Sequence, residues 1–212
     1  MSEPGPAPRQ PTTVAQRARV RRILDLATMV VTSGGEDALQ MSNLPELADV
    51  SLAALYRYFP SKQHLLFAVA QNHLESILAK THPRGPSTTP ARERIATHLL
   101  RGFQVDQRVP SIGLVVRRLT TVADPAFSAE RERLATLHTQ IVLRSAGPMT
   151  DRQLDTLGVV MTASNAAIVH WFAGIIPTEE VRFQILLACR LLDLPEDQIA
   201  ADRLAAARSA TK

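Results

Sequence analysis

From residue 13 onward, apolar residues recur three and four positions apart, in segments separated by short stretches rich in proline, glycine, serine and aspartate. Residues 13–33 put Val20, Ile23, Leu24, Ala27, Val30 and Val31 on one helical stripe, which Gly34-Gly35 is expected to end. Residues 41–50 read as a short support helix capped by Ser42. Leu44, Leu47 and Ala48 share one face of it, and Pro45 falls in the first turn, where a missing N–H costs little. Asp49-Val50-Ser51 forms a turn, and the Ser51 hydroxyl is suited to cap a second short helix. Pro60 stops that helix, and Ser61 opens a longer one to about Lys80.

Prolines punctuate the remainder. Pro4, Pro6, Pro8 and Pro11 imply a disordered tail over residues 1–12. Pro83, Gly85, Pro86 and Pro90 break the chain after Lys80. Thr89-Pro90, Pro110 and Asp124-Pro125 then open helices running to about Arg108, Val122 and Ala146. Thr150 caps a long helix to about Gly174. Pro177-Thr178 precedes another, with Glu179 and Glu180 near its positive end, and Pro195 starts a last polar helix. No stretch alternates with period two. The predicted fold is all-α: a three-helix helix-turn-helix domain over 13–60, a connecting helix over 61–80, and a ligand-binding and dimerisation domain over 81–212.

The chemistry gathers at the second short helix. Both tyrosines, Tyr56 and Tyr58, lie there with Arg57, Phe59 and Lys62 around a segment small enough for a DNA major groove. Leu52, Ala53 and Ala54 leave its first turn open to base edges. Tyr56, Tyr58 and Lys62 are assigned to phosphates, with Ser42 and Ser51 at the helix starts. Between Arg9 and Arg22 stand five arginines and no acid, a block that suits the DNA backbone. Arg17, Arg21 and Arg22 are assigned there, with Arg9 directed to the minor groove. The net charge of +4 agrees with this but is weak by itself.

Val50-Ser51, Leu55-Tyr56, Phe59, Lys62 and Leu65-Leu66 resemble the TetR-type transcriptional regulators. The wider set Ala15-Gln16-Arg17, Arg22-Ile23-Leu24, Ala27-Thr28-Met29, Gly34-Gly35, Gln40-Met41 and Ala48-Asp49-Val50 looks like the branch that represses steroid (cholesterol) catabolism genes. The strong match covers residues 15–80. Beyond it, Ser164-Asn165, Trp171 and Arg190-Leu191-Leu192 add a thin likeness. Asp49 stands where a turn glycine is common, and aspartate tolerates the left-handed region better than most residues. The resemblance implies a repressor released by a large apolar effector, for example a steroid acid or its coenzyme A thioester.

The C-terminal helices fit that division of labour. Gly158, Ala163, Ala166, Ala167, His170 and Ala173 give residues 150–175 a face of small groups. Residues 181–192 are apolar nearly all round, and a helix apolar on two sides must be covered on two sides. Ala163, Ala166, Ala167, His170, Ile185, Ala188, Cys189 and Leu192 are therefore assigned to an isologous homodimer interface, which would let two recognition helices read an inverted-repeat operator on double-stranded DNA. Leu99, Phe103, Leu114, Leu137, Met161, Ile168, Trp171 and Phe172 are candidate effector-pocket walls, although plain core has the same composition.

Other classes receive little support. The chain has no His-Glu-x-x-His, no Gly-rich phosphate loop and no Gly-x-Ser-x-Gly, so neither enzyme chemistry, a cofactor nor a metal site is expected. One cysteine excludes an internal disulfide. No apolar run approaches eighteen residues, and no secretory segment is evident, so a cytoplasmic protein without membrane association is expected. A helical interaction module without specific DNA binding is the alternative at this level.

Overall fold

The computed structural model describes residues 9–209, whose regular secondary structure is all helical, with no strand among them. The elements are α1 (Val14–Ala38), α2 (Leu44–Ala48), α3 (Leu52–Tyr58), α4 (Lys62–Lys80), α5 (Ala91–Arg108), α6 (Pro110–Leu119), α7 (Ser128–Ala146), α8 (Asp151–Phe172), α9 (Thr178–Cys189) and α10 (Glu196–Ser209). Single turns of 3-10 helix cover Pro125–Phe127 and Arg190–Asp193. No described helix is long and apolar enough to cross a membrane.

Local signals account for most helix starts. Thr13 and Gln16 close a capping box on α1, and Thr150 and Gln153 close one on α8. Gly34-Gly35 ends the long regular stretch of α1 as expected, and only a short further turn follows it. Gly35 takes a left-handed φ of 75°, kinking the helix, and the turns resume to Ala38. Ser42 does not cap α2. The N-cap is Asn43, which makes no side-chain capping bond, while the Ser42 hydroxyl donates to Asn43 Oδ1 at 3.0 Å. Of the expected tail, residues 1–8 lie outside the described residues. The rest is tied down: Arg9 N–H donates to the Arg57 carbonyl at 3.1 Å, and Thr12 N–H donates to Gln16 Oε1 at 2.8 Å.

The chain divides into two compact units. The first runs up to His82 and adds Gln104–Ile141, and the second joins Pro83–Phe103 to the chain from Val142 onward. One crossing, between His82 and Pro83, falls close to the break expected after Lys80, but the chain returns to the first unit inside α5 and leaves it again inside α7. The reason is core size. Ile23, Ala27 and Val31 of α1, with Leu44 and Leu55, make too small an interior alone. Ile112, Val115 and Leu119 of α6, with Phe127, Leu134 and Ile141, complete it. Phe67 stacks on Phe127 with ring centroids 5.1 Å apart. Thus α4, read from sequence as a connecting helix, lies wholly in the first unit.

The second unit has its own core, built from Ile95, Leu99, Phe103, Val142, Leu157, Val160, Ile168, Val181, Ile185 and Leu192. Trp171 meets Phe103 edge to face, 5.1 Å between centroids, and Phe172 at 5.0 Å. Arg94 is buried beside this core. Its guanidinium donates to the carbonyls of Thr89, Ala146 and Pro148.

Each unit also holds a histidine that burial pushes below its ordinary pKa of 6.5. His73 is opposed by Asp106 and helped by Lys80, and His98 is helped by Arg101. As pH falls below 6.5, the unfolded chain takes up these protons before the folded chain does, so stability drops with acidification. Asp106 has the opposite sign, because burial raises its carboxyl despite Arg117. Urea unfolding at about pH 7.5 and about pH 5.5 is expected to show lower stability at the lower pH, and the double variant His73→Gln/His98→Gln a smaller drop. Equal drops in both proteins would contradict the assignment.

Candidate DNA-binding surface

Helix α3 is held by its ends and its inner face. The Ser51 hydroxyl accepts Ala54 N–H at 3.1 Å, and Leu55 and Tyr58 point into the first core. Asp49 at the C-cap of α2 has φ 51° and ψ 56°, the sole non-glycine residue with positive φ among those described. A short polar side chain makes that conformation tolerable, and it sets the turn between the two helices. Outward from α3 face Ser51, Leu52, Ala53, Tyr56 and Arg57, with Ala54 half-buried.

The cations line up with this surface in sequence and exposure. Arg17, Arg21 and Arg22 of α1 are exposed. Arg17 donates to the Thr12 carbonyl at 2.9 Å, and Arg21 makes only a 3.9 Å contact with Asp25, so both charges remain open to solvent. At the start of α4, Ser61 accepts His64 N–H at 3.3 Å, and half-buried Lys62 occupies the first helical position. Arg117 and Arg118 are spoken for: the first pairs with Asp106 at 2.6 Å, the second with Glu36 at 2.9 Å.

Tyr58 departs from its expected role. It is only 5% exposed, and its hydroxyl has no hydrogen-bond partner among the described residues. The ring fills the first core and carries the Arg57 guanidinium over its face, 5.3 Å from the centroid. A phosphate cannot reach the buried Tyr58 hydroxyl without repacking, whereas Tyr56 is 42% exposed. Leu47 moves the other way. Leu44 and Ala48 are buried as a pair four residues apart, which turns Leu47 out to solvent on α2.

The proposed dimer residues divide. Ala163, Ala166 and His170 are exposed on α8, but Ala167 is buried, as are Ile185, Ala188, Cys189 and Leu192, all inside the second core. Burial pushes the Cys189 thiol up to about 11, which makes it an inert apolar group. The outward apolar face of α9 is instead Phe183 at 56%, Leu186 at 49% and Leu187 at 47% exposure. Sequence reasoning did not single out these three as the outward residues, since a helix apolar all round does not say which half faces its own core. Among the pocket candidates, Leu99, Phe103, Met161, Ile168, Trp171 and Phe172 belong to the second core. Leu114 and Leu137 are half-buried in the first unit.

Comparison with known proteins agrees with this geometry. The family described as bacterial regulatory proteins, tetR family, matches residues 23–69. The HTH-type transcriptional repressor KstR of Mycolicibacterium smegmatis is 31% identical over 186 residues, covering 87% of this chain and 91% of that one. KstR of Mycobacterium tuberculosis is 29% identical over 180 residues, covering 84% and 82%. A solved TetR transcriptional regulator from Rhodococcus sp. RHA1 superposes with a TM-score of 0.72 at 26% identity, over 84% of this chain and 97% of that one. With a helix-turn-helix of this geometry and relatives matched over most of their length, the chain belongs to the TetR family of bacterial transcriptional regulators, which are DNA-binding proteins and not enzymes.

Proposed function

We propose that this regulator acts in the cytoplasm as a homodimeric repressor of an inverted-repeat operator, and that a large apolar effector releases it. The observation that carries the dimer is the outward face of α9. Phe183, Leu186 and Leu187 stand half-exposed beside α8, whose own outward side offers Gly158, Ala163 and Ala166. Small groups allow close approach of a partner helix, and large ones supply the apolar area, so a two-fold pairing of α8 and α9 covers both. Each recognition helix alone contacts few base pairs, and doubling it supplies the discrimination an operator needs.

The effector part rests on the aromatic cluster Phe103–Trp171–Phe172 and on the likeness to KstR. An effector of steroid or acyl-CoA type acts by preferring the DNA-incompetent arrangement, because equal affinity for both states shifts nothing.

Sedimentation velocity tests the dimer. The wild-type chain is expected to sediment at twice its chain mass. Leu186→Asp/Leu187→Asp, which alters exposed positions only, is expected to sediment as a monomer and to bind an inverted repeat on the order of a hundredfold more weakly. A wild-type monomer with full affinity for such a repeat would overturn the proposal.

A further inference from the structure

The first turn of a recognition helix meets base edges. In α3 that turn presents Leu52, 49% exposed, and Ala53, with Tyr56 one turn on. The Ser51 hydroxyl accepts Ala54 N–H at 3.1 Å, which fixes it at the helix start and leaves its O–H as a donor suited to a phosphate there. Guanine is selected by paired hydrogen bonds from arginine or lysine, and adenine by those from asparagine or glutamine. No such side chain stands at residues 51–56. The exposed Arg17, Arg21 and Arg22 and the half-buried Lys62 are suited to phosphates, which carry no base identity, and the exposed Arg57 lies in the last turn of α3 with its guanidinium over the Tyr58 ring, 5.3 Å from the centroid. The group that the first turn of α3 chiefly offers to base edges is therefore apolar, and the apolar group on the major-groove floor is the C5 methyl of thymine.

We propose that Leu52 and Ala53 read thymine methyl groups, so that each operator half-site carries thymine, on either strand, at the base pairs beneath the start of α3. This rests on the DNA-binding reading and deepens it. Leu52, with its longer side chain, reaches further and supplies the larger share. Ala53 sets a close approach, because a larger residue there would hold the helix off the groove. Tyr56, one turn later, offers a hydroxyl suited to the adjoining phosphate. Hydrogen-bond donors of the first turn have no part in the selection.

The test separates the two levels. The full-length protein selects duplexes from a randomised DNA pool. The tightest duplex is then remade with deoxyuridine in place of thymine, one position at a time. Deoxyuridine keeps every hydrogen bond and loses only the methyl. At one or two positions per half-site, Kd is expected to rise about fourfold for each methyl lost. In Leu52→Ala the penalty at the Leu52 position should fall to about none. Leu52 lies outside the core, so the substitution leaves the fold in place. Uniform tolerance of deoxyuridine, or a penalty unchanged in Leu52→Ala, would overturn methyl readout while leaving DNA binding intact. A pool that yields no enriched duplex would overturn the DNA-binding reading and the methyl readout together.

Discussion

Replacing Arg94 by methionine is expected to cost the second unit about 3 kcal/mol or more, the largest loss of stability for a single substitution away from its apolar core. The side chain is buried, and its donors meet three backbone carbonyls: Thr89 before α5, Ala146 at the end of α7 and Pro148 before α8. Among the described residues no carboxylate pairs with it, so the carbonyls and the negative end of α7 neutralise the charge. Gly147, with φ 80°, turns the chain at that point and returns its N–H to the Leu143 carbonyl at 3.0 Å. One guanidinium thus ties three segments whose own backbone cannot satisfy those oxygens. Methionine matches the volume but leaves the carbonyls without donors. Thermal unfolding should show a fall in Tm of roughly 6–12 °C. Arg94→Lys should recover less than half of this, since one ammonium cannot reproduce the planar fork. A change of less than about 1 kcal/mol in Arg94→Met would mean that water replaces the guanidinium at the site.

The largest functional effect is expected from Arg17→Ala/Arg21→Ala/Arg22→Ala. All three side chains are exposed on α1, outside the core, so folding should be unaffected. Each phosphate contact contributes about 0.9 to the slope of log affinity against log salt, so the slope should become shallower by about 3 per protomer. At about 50 mM salt the affinity should fall by two orders of magnitude or more, and equally for specific and unrelated DNA, because the backbone carries no sequence information. A loss confined to the specific duplex would instead place these arginines on base edges.

The helix-turn-helix was legible because its signals are local. A serine cap, a proline stop and a second serine cap fall within eleven residues at Ser51, Pro60 and Ser61, and the structure uses each of them. What sequence could not supply was sidedness and long-range assembly. Tyr56 and Tyr58 are two apart, so one faces solvent and the other the core, and nothing in the motif says which. In α9 the apolar pattern pointed to two covered faces, but Ile185 and Cys189 turn inward while Leu186 and Leu187 turn out. The pairing of α6 and much of α7 with α1 and α4 was hidden for another reason. The Pro- and Gly-rich break over residues 81–90 holds one crossing between the units, at His82–Pro83, but the other two run through α5 and α7, where no punctuation marks them. The misplaced cap at Ser42 is a shift of one residue, the usual uncertainty of helix ends.

The most direct measurement is a polarisation titration of the full-length protein against DNA from its own upstream region, at about 50 mM and about 200 mM salt. A DNA-binding dimer with phosphate-gripping arginines predicts tight binding to one duplex, saturating at two protomers and weakening by several orders of magnitude at the higher salt. Binding that is absent at both concentrations, and absent again across a randomised DNA pool, would contradict it and leave a helical module whose exposed α3 serves another partner.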